Sequence, residues 1–263
     1  MNKMEATLID ALRKAGDILL KYFNKPLEEK VKESQSSIVT QADFASDSAI
    51  VGLIGRKFPT HNIISEESGF IANNSKYTWV IDPLDGTSNF ASGIPWFGVL
   101  ICLFENNIPV MGGAYLPMAD ILYFAEKGRG AFRNEKPLAE IRNKKIKDSL
   151  IAFSVDFTDD EAFLQKGLDL YRFIIKASRN IRSTNSLIDF LYVADGKLGG
   201  CINLYTKIWD ISALGLIISE AGGRMINLEG NDLNFNICEK ILQENFPVIA
   251  GSSEIVDAIK LGL

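Results

Sequence analysis

Two acids three residues apart, Asp82 and Asp85, stand in the segment Trp79-Val80-Ile81-Asp82-Pro83-Leu84-Asp85-Gly86-Thr87. The apolar run before them reads as a buried strand, which would present Asp82 rigidly at its end, and Pro83 restricts the turn between the two acids. Carboxylates this close repel one another unless a cation sits between them. Gly86 and Thr87 then open the next element, where free backbone N–H groups can hold a phosphate. A lone Asp-x-x-Asp also arises where acids only cap a turn and a helix. The segment alone leaves both readings open.

Two other segments carry acids at the edge of an ordered element. The strand expected at Asn62–Ser65 runs into Glu66-Glu67, and Trp209-Asp210 opens a helix far downstream. All the candidate ligands are oxygen donors, with no His or Cys beside them, which favours Mg²⁺, or Mn²⁺ as a substitute, over zinc or copper. Glu66, Asp82, Asp85 and Asp210 carry four negative charges, which two Mg²⁺ would balance. A phosphate dianion would leave room for a third, weaker ion.

Other chemistries lack their residues. The single histidine, His61, rules out a multi-histidine metal site and leaves little room for a Ser-His-Asp arrangement. It follows Pro59-Thr60 in an expected loop and is read as a surface residue. Six residues after Cys102, Cys201 and Cys238 stand Ile108, Lys207 and Glu244, so the Cys-x5-Arg spacing of cysteine phosphatases is absent. No Asp-x-Asp-x-Thr or Gly-x4-Gly-Lys-Ser/Thr run occurs.

The elements that must hold these residues follow from periodicity. Leu8, Leu12, Ala15, Leu19 and Tyr22 mark an amphipathic helix over about 4–23, and a second pattern spans 41–58, with Thr40 and Asp43 at its start as capping candidates. Apolar runs at 97–104, 108–116 and 120–125, separated by turn residues, read as an antiparallel meander. From about 148 strands and helices alternate: strands at 149–155, 198–204, 224–227 and 248–251, helices at 159–176, 186–194, 210–220 and 253–261. The reading is an α+β part over 1–147 and an α/β part over 148–263, the second carrying Asp210.

The chain has 263 residues, 47% hydrophobic and 23% charged, with a net charge of -5. It is a folded protein without the basic footprint of nucleic-acid binding. The three cysteines lie in apolar neighbourhoods and read as buried thiols of a reducing compartment. There is no apolar signal core and no run near the roughly 18 apolar residues of a membrane span, so a cytoplasmic protein with no membrane partner is expected.

Together these segments resemble the inositol monophosphatase family, within the lithium-sensitive, magnesium-dependent phosphatases. The family's signature W-x-x-D-P-[IL]-D-G-T-x-N-F is matched by Trp79 through Phe90. Its Gly-Glu-Glu element appears as Ser65-Glu66-Glu67, with Ser in place of Gly. Its Trp-Asp helix ending in Glu-Ala-Gly-Gly is matched by Trp209-Asp210 through Gly223. The resemblance spans nearly the whole chain, in the right order. It implies a layered αβαβα sandwich, a homodimer, and hydrolysis of small phosphate monoesters by metal-activated water.

Residue by residue, the resemblance implies Glu66, Asp82 and the Leu84 carbonyl on a first metal, and Asp82, Asp85 and Asp210 on a second. Asp43 and Thr87 would position and deprotonate the attacking water, with Glu66 close by. Gly86 and Thr87 would offer N–H groups to the phosphate. For the ester, Ser88-Asn89-Phe90 resembles the inositol branch and Arg182-Ser183 the start of the substrate loop. Asn185 stands where Gly is usual, Leu187 where Ala is usual, and Asn203 where a Glu accepting from ring hydroxyls is common. Lys207 could meet a second phosphate or carboxylate on the substrate, and a solvated surface lysine is at least as good a reading. Larger sugar phosphates, fructose 1,6-bisphosphate and NADP or another nucleotide are the alternative substrates. Ser88, Ser183, Asn185, Asn203, Lys207 and Asp210 are thus candidate substrate contacts. A non-catalytic regulatory protein that kept the fold is the alternative of a different class.

Overall fold

The computed structural model of the chain describes residues 2–26, 30–32 and 38–263. The first half runs α1 (Lys3–Tyr22), β1 (Lys30–Val31), β2 (Ile38–Val39), α2 (Gln41–Lys57), β3 (Asn62–Ser65), β4 (Gly69–Ile71), β5 (Tyr77–Asp85) and α3 (Thr87–Ala91). It continues through β6 (Gly98–Glu105), β7 (Ile108–Leu116), β8 (Ile121–Glu126), β9 (Gly130–Arg133) and β10 (Lys136–Pro137). The second half holds β11 (Leu150–Ser154), α4 (Glu161–Ala177), β12 (Asn180–Arg182), α5 (Leu187–Ala194), β13 (Gly200–Asn203), α6 (Ile208–Glu220), β14 (Arg224–Asn227), β15 (Val248–Gly251) and α7 (Ser253–Lys260).

An eight-stranded sheet has the order β10-β9-β8-β7-β6-β5-β3-β4, and a five-stranded sheet the order β12-β11-β13-β15-β14. The expected meander is present as the antiparallel run β6, β7, β8. Strand alternation sends successive side chains to opposite faces. Trp79, Ile81, Ile101 and Leu103 face Leu8 and Leu12 of α1 and Ile50 and Ile54 of α2. Their neighbours Val80, Leu100, Cys102 and Phe104 face a second core holding Leu191 of α5, Ile208, Ile211 and Leu214 of α6, and Ala152, Cys201 and Ala250 of the smaller sheet. The far face of that sheet, Ile151, Phe153, Ile202 and Ile249, packs on Leu170 and Ile174 of α4 and on Ile255 and Ile259 of α7. The layers are therefore helix, sheet, helix, sheet, helix, the αβαβα sandwich that the resemblance implied.

His61 is placed differently from its sequence reading. His61 is buried: its Nδ1 accepts a hydrogen bond of 3.1 Å from Trp79 Nε1, and its ring stacks on Phe58 and Tyr77. Aromatic neighbours on either side, which no local pattern discloses, draw it inward. Burial lowers its pKa, consistent with a neutral ring accepting at Nδ1. Cys102 and Cys201 are buried free thiols and Cys238 is half-buried. Among the described residues no helix is long and apolar enough to cross a membrane.

Candidate metal centre

The acids meet because of how two strands end. β3 and β5 are parallel neighbours with Ser65 opposite Ile81, so the next residues, Glu66 and Asp82, emerge side by side. The Glu66 N–H donates to the Ile81 carbonyl at 3.2 Å and ties the two exits together. Asp82 and Asp85 are an odd number of residues apart and would face opposite ways on a regular strand. The β5–β6 register shifts between them: Asp82 pairs with Leu100 and Asp85 with Gly98. That bulge holds one extra residue and restores a common direction. Pro83 fits there because a bulge needs no ladder N–H from it. Its carbonyl accepts from Ser46 Oγ at 2.7 Å, and the Leu84 N–H donates to Asp82 Oδ1 at 3.0 Å.

Asp210 arrives from the first turn of α6, where its Oδ2 accepts from the Lys207 N–H at 2.6 Å. Asp85 Oδ1 accepts from the Leu187 N–H at 2.6 Å, which binds β5 to the start of α5. One carboxylate oxygen from each of Asp82, Asp85 and Asp210 lies within 4.8 Å of the other two. Burial pushes all three pKa values up, and Glu66 pushes each further; Asp85 rises to about 7 even with the Leu187 N–H holding it down. Such a group of buried like charges is costly without a counter-ion. A hard dication with oxygen ligands fits this donor set.

Glu66 and Glu67 form ion pairs with Lys32, at 2.7 Å for Glu66 Oε1. Burial pulls Lys32 down, yet the two glutamates outweigh it and raise its pKa. Glu66 keeps 22% of its side chain exposed, so a cation from solvent can compete with the lysine. Nothing in the local sequence singled out Lys32. Asp47, likewise unremarked, is buried on α2 and accepts from the hydroxyls of both Ser65 and Ser68, one on each side of Glu66-Glu67. The serine in the usual glycine place is thus used.

Beside the acids, Thr87 Oγ1 lies 3.1 Å from Asp43 Oδ1 and 2.9 Å from the Leu84 carbonyl. The other Asp43 oxygen accepts from the Thr40 N–H and Oγ1 at 2.8 and 2.7 Å, completing the cap of α2. Burial raises the Asp43 pKa despite those bonds. Gly86 has φ +83, and a Cβ there would come within 2.6 Å of the Trp96 carbonyl, so only glycine fits.

These groups floor a cleft of about 320 Å³. Its lining includes Glu66, Asp82, Leu84, Asp85, Gly86, Thr87, Ser88, Asn185, Asn203, Lys207 and Asp210. It also includes Lys32, Asp156, Ser186, Tyr205 and Gln243, which carried no signal in the sequence. Asp43 lies behind Thr87. Ser183 is exposed and outside the lining, three residues before Ser186, which reaches it. Asn185 has φ +49, a left-handed conformation that asparagine tolerates best after glycine, which accounts for the usual glycine there.

The model of the inositol monophosphatase family matches residues 1–259. This chain belongs to the inositol monophosphatase family. It is 33% identical over 234 residues to the Nus factor SuhB of Haemophilus influenzae, covering 88% of each chain. It is 32% identical over 222 residues to a fructose-1,6-bisphosphatase/inositol-1-monophosphatase of Aquifex aeolicus, covering 84% of this chain and 83% of the other. Its structure matches that of the extragenic suppressor protein suhB from Bartonella henselae with a TM-score of 0.89 at 28% identity, covering 99% and 98% of the chains.

Proposed function

We propose that the chain is a Mg²⁺-dependent phosphomonoesterase that hydrolyses inositol monophosphate or a related small sugar phosphate with an activated water. The supporting observation is the convergence of Asp82, Asp85 and Asp210 within 4.8 Å at the floor of a cleft that Thr87 also lines. In this reading Glu66, Asp82 and the Leu84 carbonyl hold one ion, and Asp82, Asp85 and Asp210 a second. When bound, such ions supply a more acidic water and charge stabilisation for the leaving alkoxide.

The chain's own residues do the rest. Thr87 Oγ1 accepts a proton from the attacking water as its own proton passes to Asp43. Asp43 suits a base: burial raises its pKa while Thr40 fixes its geometry. Gly86 and Thr87 present backbone N–H groups to the phosphate, and Ser88 lies at its edge. The ester's organic group extends toward Asn185, Asn203 and Lys207.

Membership of the family supports a phosphatase; relatives named Nus factor SuhB keep a non-catalytic role open as the second reading. The homodimer, lithium sensitivity and cytoplasmic location belong to the same proposal. Phosphate release from inositol, sugar and nucleotide phosphates, with Mg²⁺, with EDTA and with added Li⁺, decides between the enzymatic and the non-catalytic reading. Release that requires Mg²⁺ and falls with Li⁺ is expected. No metal-dependent release from any ester would remove the enzymatic reading.

A further inference from the structure

Another wall of the cleft comes from the ends of two parallel strands. β11 and β13 pair with Ser154 opposite Asn203. Asn203 is the last residue of β13, and Asp156 lies two residues beyond the end of β11. Both line the cleft, at the carboxyl edge of parallel strands where ligands gather in α/β folds.

Their hydrogen bonds leave a defined donor and a defined acceptor. Asn203 Oδ1 accepts from the Tyr205 N–H at 3.0 Å, so its NH₂ is the group left for the cleft. Asp156 Oδ1 accepts from Asn185 Nδ2 at 2.9 Å, leaving Oδ2 as an acceptor. Asn185 is itself held by its backbone, whose N–H donates to Asp189 Oδ2 at 3.2 Å. Asp156 is therefore a positioned carboxylate. Burial raises its pKa, and its charge adds to the upward push on Asp85, which sets it within electrostatic reach of the acidic cluster.

An acceptor and a donor lining one cleft suit hydroxyl groups, each of which can do both. They do not suit a second phosphate, which a carboxylate repels. The cation on that side, Lys207, is already engaged: its Nζ donates to the Gln243 carbonyl at 3.2 Å and sits over the Tyr205 ring. We propose that Asp156, held by Asn185 and lining the same cleft as Asn203, is the specificity residue that selects polyol monophosphates by accepting hydrogen bonds from their hydroxyls. This rests on the phosphatase reading above.

The test compares kcat/KM of wild type, Asp156→Asn and Asp156→Ala, all Mg²⁺-loaded, on inositol 1-phosphate and on p-nitrophenyl phosphate, which has no hydroxyls. A hydrogen bond to a charged group predicts that the loss on inositol 1-phosphate exceeds that on p-nitrophenyl phosphate by roughly 10- to 100-fold. Asn185→Ala, which frees Asp156, should lower the same ratio by less. Asp156→Asn should also raise the rate on fructose 1,6-bisphosphate relative to inositol 1-phosphate. Equal losses on the two monoesters, or no loss on either, would overturn the role of Asp156 and leave the phosphatase reading intact. Absence of Mg²⁺-dependent release by wild type from both esters would overturn the phosphatase reading itself, and this one with it.

Discussion

Thr87 Oγ1 stands 3.1 Å from Asp43 Oδ1, joining the residue that opens α3 to the first turn of α2. Because the other Asp43 oxygen is held by Thr40, the free one has a single direction in which to work. Asp43→Asn should therefore lower kcat by about 100-fold or more with little change in KM. Thr87→Ala should do the same, and Thr87→Ser should restore most of the rate because the hydroxyl returns. Steady-state kinetics on the best ester of the panel measures this. A Thr87→Ser variant as slow as Thr87→Ala would point to the methyl group, and so to packing.

Without a bound cation the acidic cluster carries its full electrostatic cost. Asp82, Asp85 and Asp210 have folded pKa values above their ordinary ones, Asp85 at about 7. The folded state then binds more protons than the unfolded state between about pH 4 and 7, so unfolding free energy falls as pH rises through that window. In EDTA the protein should melt at a lower temperature at pH 8 than at pH 5.5. Mg²⁺ should remove much of the difference by binding the folded state. Calorimetric melting at both pH values checks it; a metal-free Tm that rises with pH would contradict the raised pKa values.

Much of this site was legible because its acids sit in local patterns. An apolar run ending in Asp-Pro-Leu-Asp reads as a strand that presents acids, and Trp209-Asp210 as a helix start. Both are decided within a few residues. What stayed hidden is tertiary. Asp47 and Asp156 are single acids among ordinary neighbours, and their partners Ser65, Ser68 and Asn185 lie 18, 21 and 29 residues away. Lys32 reaches Glu66 across 34 residues from a segment without periodicity. His61 was misplaced for the same reason, since its burial is decided by Phe58, Tyr77 and Trp79 together.

Asp47 should act through the turn it holds. Asp47→Ala leaves the buried Ser65 hydroxyl without its acceptor, at a cost of about 1–3 kcal/mol. It also frees the turn carrying Glu66 and Glu67, so Mg²⁺ affinity measured by calorimetric titration should weaken. Asp47→Asn, which keeps one acceptor oxygen, should fall between. Lower stability with unchanged Mg²⁺ affinity would reduce Asp47 to a packing role.

Asp85→Asn and Asp210→Asn separate function from folding most sharply. Each amide can still accept the backbone hydrogen bond its acid accepts, from Leu187 or from Lys207, so local structure should hold. Each also removes one negative charge from a crowded buried group. The metal-free variants should therefore melt higher than metal-free wild type, by an amount that grows from pH 5.5 to pH 8. The same lost charge weakens the cation site, so the rise in Tm with Mg²⁺ should shrink and turnover should fall by about 100-fold or more. Stability rising while activity disappears is the behaviour of acids kept for a ligand at the expense of the fold. Near-normal turnover by either variant would refute their assignment as metal ligands.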